Sequence, residues 1–162
     1  MTNPLEDFPL FVKRWLPALL WMGLILFAST DAGSASNSSH PLKLLLRWIN
    51  PQIKEPAIDE INIILRKAMH VMQFSILAIL VWRAHRMLKL PQKNRTVRTV
   101  TLVFFLAIVF AAGSEFLQHL MKDRGASVQD IFLDLTGTAL GLLVIYLAGL
   151  CKKHPPAKPT PG

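Results

Sequence analysis

The sequence has almost no cysteine, since Cys151 is the only one in 162 residues. A single cysteine cannot form a disulfide within the chain, and it cannot supply the paired cysteines of a CxxC metal site. The chain also lacks a Walker A loop and the GxGxxG, GxSxG and HExxH motifs. Nucleotide chemistry, the usual serine-hydrolase elbow and the familiar zinc-hydrolase motif are therefore without support.

Acidic residues are also scarce, with 10 Asp and Glu against 18 Lys and Arg and a formal net charge of +8. The chain is nevertheless 52% hydrophobic, with a mean hydropathy of +0.38. The basic residues lie mainly between apolar stretches, whereas a soluble nucleic-acid binder interleaves them with aromatic residues on its folded elements. The composition predicts an integral membrane protein and no nucleic-acid partner.

Four apolar stretches predict an all-α membrane protein with four transmembrane helices. The stretches cover residues 15–30, 68–82, 97–112 and 131–150. The first would rise about 24 Å as a helix, slightly less than the roughly 30 Å of hydrocarbon in a bilayer. A cleaved signal peptide is the alternative for this stretch. An uncleaved helix is favoured because the residues before it are themselves partly apolar.

The segments between and after the predicted spans have their own patterns. Residues 31–39 consist of turn formers and predict a polar loop. Residues 42–49 are apolar on one side and basic on the other, which predicts a short interfacial helix on the bilayer, with a soluble amphipathic turn as the alternative. By length, residues 1–150 form one domain. The basic, proline-rich residues 151–162 predict a disordered tail.

The distribution of basic residues predicts the orientation of the four spans. The N-terminal segment, the second connector and the tail carry 11 Lys and Arg, against 7 in the first and third connectors. The second connector, residues 83–98, has six basic residues and no acid. The positive-inside rule then places both termini in the cytoplasm and the first and third connectors outside.

Polar side chains gather at the predicted outer end of the last three spans. The candidate catalytic residues are Glu115, His70, Asp130 and Asp134, and the candidate ligand-binding residues are Lys67, Gln118, His119, Arg124 and Ser127. Within each helix most of them are three or four residues apart, so each set shares one helix face. Ionisable groups inside a span cost roughly 2.5–3.5 kcal/mol near the bilayer centre and therefore tend to face inward and pair. The pattern predicts an outward-facing polar pocket.

Structural roles are alternatives for several of these residues. Asp130 could cap a helix, because acids favour helix starts, and Glu115 with Arg124 could be an ion pair that closes a hairpin. The spacing of Glu115 and His119 is not that of a zinc site, so we predict no metal and no cofactor. Gly137 and Gly141, four residues apart with Gly149 further on, predict a stripe of small residues suited to close helix contact.

Over residues 15–146 the chain resembles the VanZ-like family of small bacterial membrane proteins. The most specific match is the family's E-x-x-Q…R-x-x-S-x-x-D…G-x-x-x-G block, carried here by Glu115, Gln118, Arg124, Ser127, Asp130, Gly137 and Gly141. Weaker matches are the hydroxyl-rich end of the first span, Ala28-Ser29-Thr30, and Lys67 and His70 followed by Phe74. The chain departs from the family pattern at Arg66, where an acid is common, at Val71, where an aromatic residue often follows, and at Asp134, where asparagine is common.

The resemblance implies a multi-pass protein of the bacterial cytoplasmic membrane, and the founding member of the family is linked to resistance against the glycopeptide teicoplanin. Our first hypothesis is that the pocket binds or modifies an anionic cell-envelope lipid or lipid-linked precursor. Lys67 and Arg124 would be the charge-assisted donors. Glu115, with His70 or His119, would position the ligand or act as acid and base if there is chemistry.

Two other functions compete with lipid binding. The first is a non-enzymatic accessory or envelope-organising subunit, with a protein partner, whose polar cluster only locks the helices together. The second is a small transporter, which would need to form a homo-oligomer because four helices offer little room for a path. Whether the chain is an enzyme is left open by these hypotheses.

Overall fold

The apolar stretches fold into helices because a helix satisfies its backbone polar groups within one segment, as hydrocarbon requires. A computed structural model describes residues 4–30, 35–86, 94–120 and 128–153. These residues form five helices: α1 (Pro4–Ala28), α2 (Ala35–Ile49), α3 (Glu55–Arg86), α4 (Arg95–Leu120) and α5 (Val128–Lys153). They contain no strand. The all-α prediction is confirmed.

Four of the helices are long and apolar enough to cross a membrane, which confirms the predicted number of spans. The candidate spans are Phe11–Ala28, Glu55–Arg86, Arg95–Leu117 and Val128–Gly149. With 32 residues, α3 is the longest. It measures about 48 Å at 1.5 Å per residue, so it extends beyond a hydrocarbon core of roughly 30 Å. The second predicted span is thus the C-terminal part of one continuous helix.

The short helix between the first two spans is longer than predicted, because α2 begins at Ala35 and takes in residues predicted as loop. Four of its large apolar side chains are more than half exposed: Leu44, Leu45, Trp48 and Ile49. On its basic side, Lys43 and Arg47 both pair with Glu55 at the start of α3. Ion pairs therefore hold α2 against α3, and the rest of the protein leaves the apolar side of α2 uncovered. A helix of this kind suits the membrane surface.

The core lies where α1, α3 and α4 meet. It contains Ala18, Met22, Ile25, Phe74, Leu77, Ala78, Val81, Val103, Ala107 and Ala111. Trp21 on α1 also donates a hydrogen bond from Nε1 to the carbonyl oxygen of Gln73 on α3, over 2.9 Å. Many large apolar side chains on the outside of the bundle remain exposed, as expected for helices that face lipid.

The most intimate helix contact joins α3 to α5 through two glycines. A Cβ atom at Gly137 would collide with the carbonyl oxygen of Val71 and lie 2.9 Å from its carbonyl carbon. A Cβ atom at Gly141 would collide with the carbonyl oxygen of Ser75 in the same way, whereas Gly149 has no atom within 4 Å. The Ser75 hydroxyl lies 2.8 Å from the carbonyl oxygen of Gly137. Close backbone approach therefore depends on Gly137 and Gly141.

Candidate functional site

The lengths of the helices bring polar residues of α3, α4 and α5 to one level of the bundle. Counted from the connector between α3 and α4, His70 lies 16 residues before Arg86, or about 24 Å along the helix axis. Glu115 lies 20 residues after Arg95, or about 30 Å. The next helix begins at Val128 and places its acids within its first two turns. The polar residues of three helices thus meet near one end of the spans.

The best-defined interaction in this cluster is between His70 and Asp134. The Nδ1 atom of His70 lies 2.9 Å from Oδ1 of Asp134. Asp134 is completely buried, whereas 13% of the His70 side chain is exposed. With Asp134 ionised, Nδ1 must donate, because a carboxylate only accepts, and Nε2 of a neutral imidazole is then left as an acceptor. The pair fixes the imidazole on α3 against α5.

A second pair, between Arg66 and Asp130, is looser. An Nη atom of Arg66 lies 3.6 Å from Oδ2 of Asp130, which is beyond hydrogen-bond distance. The Arg66 side chain is 41% exposed, whereas that of Asp130 is only 5% exposed. Asp130 lies in the first turn of α5, where the helix dipole favours a carboxylate. Asp130 therefore orients the guanidinium by charge and leaves donors of Arg66 available.

Glu115 completes the cluster from α4. Its side chain is buried, with 3% exposure, and follows the buried Ser114, whose hydroxyl donates to the carbonyl oxygen of Ala111 over 2.8 Å. The Glu115 carboxyl interacts electrostatically with both His70 and Asp134. Three buried carboxyls thus lie near the imidazole of His70, an arrangement in which a proton can be exchanged between the imidazole and a carboxyl.

Asp134 and Arg66 each have a buried atom without a hydrogen-bond partner among the residues that the structure describes. These atoms are Oδ2 of Asp134 and Nε of Arg66. Buried polar atoms are nearly always hydrogen-bonded in proteins, and an exception needs an explanation such as a bound molecule. Within the described ranges, no group of three or more His, Cys, Asp or Glu side chains could hold a metal ion. The Nε atom of Arg66 is thus an unsatisfied donor, and the Oδ2 atom of Asp134 is an unsatisfied acceptor.

The structure places the remaining predicted site residues outside this cluster or does not describe them. Lys67 is exposed. The side chains of Gln118 and His119 lie outside the described residues, as do Arg124 and Ser127 and with them the proposed ion pair of Glu115 with Arg124. Gly137 and Gly141 lie at the contact of α3 with α5.

The sequence interpretation missed Arg66. The available signal was its spacing from His70, because residues four apart lie one above the other on a helix. Lys67 is rotated from Arg66 by about 100°, one residue of an α-helix. Both residues lie within about one turn of His70, so spacing alone does not choose between them. In the structure Arg66 contacts Asp130, whereas Lys67 is exposed.

The family model described as VanZ/LLP1 matches residues 14–149 of the chain. The matched segment includes all five residues of the polar cluster: Arg66, His70, Glu115, Asp130 and Asp134. Searches of the curated proteins and of the solved structures gave no match.

Proposed function

The chain belongs to the VanZ-like family, and on this premise we propose that its polar cluster binds the head group of an anionic cell-envelope lipid or lipid-linked precursor. The chain is a multi-pass membrane protein by its four candidate spans. The observation that carries the proposal is the state of Arg66: its guanidinium lies near Asp130 without a hydrogen bond to it, and its side chain is 41% exposed, so Nη donors remain available.

The argument from Arg66 concerns its remaining hydrogen-bonding capacity. A guanidinium has five N–H donors in a fixed plane, suited to the paired oxygens of phosphate or carboxylate. Asp130 uses little of that capacity, because the N···O distance is 3.6 Å. The side chain is partly exposed, so a ligand can reach it. An anionic head group would supply charge-assisted hydrogen bonds that the protein itself leaves open.

His70 and Asp134 add acid and base capacity to the binding site. With Asp134 holding Nδ1, the Nε2 atom of His70 is the position from which a proton can be taken up or returned. Such acid and base capacity suits a head group that is bound in one preferred protonation state. It equally suits a head group that the protein modifies chemically. Glu115 lies close enough to influence both groups through its charge.

A second candidate function rests on the burial of the acids. Glu115, Asp130 and Asp134 are 3%, 4% and 0% exposed, so most of the cluster faces the interior of the bundle. In this alternative the cluster only locks α3, α4 and α5 together, and the protein acts as a non-enzymatic accessory subunit of the envelope. A structural lock requires no lipid ligand, and this difference separates the two candidates.

We further propose that the chain lies in the bacterial cytoplasmic membrane with both termini in the cytoplasm, so that the cluster faces outward. The proposal rests on the basic connector between α3 and α4. A reporter fused within residues 87–93 is expected to be active only on the cytoplasmic side. Activity on the external side would reverse the orientation and place the cluster at the cytoplasmic end of the spans.

Two adjacent basic residues give a matched test of the binding proposal. The full chain is purified from bacterial membranes in mild detergent as wild type, Arg66→Gln and Lys67→Gln, and the retained lipids are identified by mass spectrometry. We expect the wild type to retain one class of anionic lipid enriched over the bulk membrane. Arg66→Gln should lower that enrichment about 10-fold or more, the usual effect of losing hydrogen bonds to a charged group.

Lys67→Gln removes the same charge at an exposed position and should change the enrichment less than about 2-fold. Equal losses in both variants would mean that only general charge attraction holds the lipid. Absence of any enriched lipid in the wild type, together with a stable protein partner, would favour the accessory-subunit alternative.

A further inference from the structure

A groove lies at the other end of the bundle, between the end of α3, the start of α4 and the C-terminal half of α5. Its volume is about 730 Å³. Apolar side chains line most of it: Trp82, Val100, Phe104, Leu142, Leu143, Ile145 and Tyr146. Along α3, the groove begins at Trp82, 12 residues or about 18 Å from His70. It is therefore separate from the polar cluster.

The mouth of the groove is basic. The guanidinium of Arg86 lies over the ring of Trp82, with its central carbon 5.5 Å from the ring centroid, and the Arg86 side chain is exposed. The guanidinium of Arg95 donates to the backbone carbonyl of Arg86, which joins α3 to the start of α4. Among the residues that the structure describes, none that lines the groove is acidic. The mouth thus carries positive charge beside an apolar interior.

The floor of the groove along α5 includes a glycine with open space beside it. Gly149 lines the groove and has no atom within 4 Å of an added Cβ. Tyr146, one turn earlier, is 63% exposed. Trp and Tyr side chains are enriched where the membrane meets water, so Trp82 and Tyr146 suit the level of lipid head groups. Gly149 lies one turn beyond Tyr146, so an elongated apolar ligand that enters beside Gly149 can lie along α5 past Leu142 to Ala139, deeper in the bundle.

We propose that this groove binds an anionic phospholipid, with one acyl chain along α5 and the phosphate on Arg86. Charge complementarity identifies the ligand, because a basic mouth with no acidic lining favours an anionic over a zwitterionic head group. Basic pockets between membrane helices are known to bind anionic head groups. The volume lies within the range of roughly 300–1,000 Å³ that is typical of ligand sites.

The test uses two variants that alter different parts of the groove. Arg86→Gln removes the charge and keeps the backbone carbonyl that Arg95 contacts, and Gly149→Leu fills the open floor. Both are made in an Arg66→Gln background, so that lipid bound near the polar cluster does not contribute. The full chain, in detergent with equal amounts of phosphatidylglycerol and phosphatidylcholine, is examined by native mass spectrometry for retained lipid.

We expect the Arg66→Gln parent to retain one phosphatidylglycerol in preference to phosphatidylcholine. Arg86→Gln should abolish the preference, and Gly149→Leu should reduce retention of both lipids at least 5-fold. Arg83→Gln, an equal loss of charge one turn away and outside the groove, is the control for the first variant. Gly23→Leu, at another glycine with no atom within 4 Å, is the control for the second.

Both controls should behave as the parent does. The proposal is overturned if the parent shows no preference for phosphatidylglycerol, if Gly149→Leu retains lipid as the parent does, or if Arg83→Gln loses the preference as fully as Arg86→Gln. The last result would mean that the basic end of the bundle attracts anionic lipid without a defined site.

Discussion

Replacing Gly137 by alanine is expected to lower the free energy of unfolding by about 2 kcal/mol, the usual order for an overpacked contact. The added Cβ atom would collide with the carbonyl oxygen of Val71. Because the obstacle is backbone rather than the end of a flexible side chain, α3 and α5 must move apart. The move would also break the contact of the Ser75 hydroxyl with the carbonyl oxygen of Gly137.

Gly149→Ala is the matched control on the same helix, because Gly149 has no atom within 4 Å. It should leave stability unchanged or raise it by up to about 1 kcal/mol, since alanine is the better helix former. Unfolding of the purified variants in detergent micelles measures the difference. Equal stabilities for Gly137→Ala and Gly149→Ala would contradict the close approach of α3 and α5.

The same helix contact supports the polar cluster. Asp134 precedes Gly137 by three residues, so it lies within one turn of the closest approach between the two helices. Its hydrogen bond to His70 spans the same two helices as the Gly137 contact. Gly137→Ala should therefore disturb the cluster as well as the stability, although Gly137 itself carries no chemical group.

Hydropathy was enough to predict the number and order of the spans. Length then predicted the level of the acids, because each residue adds a fixed rise of about 1.5 Å and the connectors are short. This reasoning places Glu115, Asp130 and Asp134 together near one end of the spans. It worked because the constraint of the bilayer acts along the helix axis.

The sequence gives much less information about which face of each helix points inward. In lipid, an outward-facing leucine is as well solvated as a core leucine, so a span has no clear polar side from which to read its orientation. For this reason the composition of α3 does not predict whether Arg66 or Lys67 contacts α5. It follows from the packing of α3 on α5, where Val71 and Ser75 contact glycines.

The early start of α2 was also not predicted. Four of residues 35–39 are serine or asparagine, whose side chains hydrogen-bond to nearby backbone and so favour turns and helix ends over helix interiors. In the structure, α2 is tied to α3 by the ion pairs of Lys43 and Arg47 with Glu55. The alternation of polar and apolar residues in 42–49 did predict the exposed apolar side of this helix.

Asp134→Ala is expected to lower the free energy of unfolding by about 3 kcal/mol, whether or not lipid is present. The reason is burial: Asp134 is completely inaccessible and its Oδ1 atom holds His70. Removing one partner of a buried pair leaves the other without compensation, which typically costs roughly 3–5 kcal/mol. His70 is slightly exposed, which places the expected cost at the lower end of that range.

Arg66→Gln is expected to behave differently, because the Arg66 side chain is 41% exposed and its contact with Asp130 is loose. Without lipid it should cost less than about 1 kcal/mol, as for other exposed ion pairs. Its effect should appear when an anionic lipid is added. A ligand that binds only the folded protein stabilises it by about 2.7 kcal/mol at 100 times its dissociation constant.

The most direct test of the head-group site is therefore the stability gained from added phosphatidylglycerol, compared between wild-type Arg66 and Arg66→Gln. Both proteins carry Gly149→Leu, so that the groove near Arg86 is filled. We predict a gain of about 2–3 kcal/mol with Arg66 and almost none with Arg66→Gln. An equal gain in the two proteins, or a loss of stability in Arg66→Gln that is the same with and without lipid, would contradict a ligand site at Arg66.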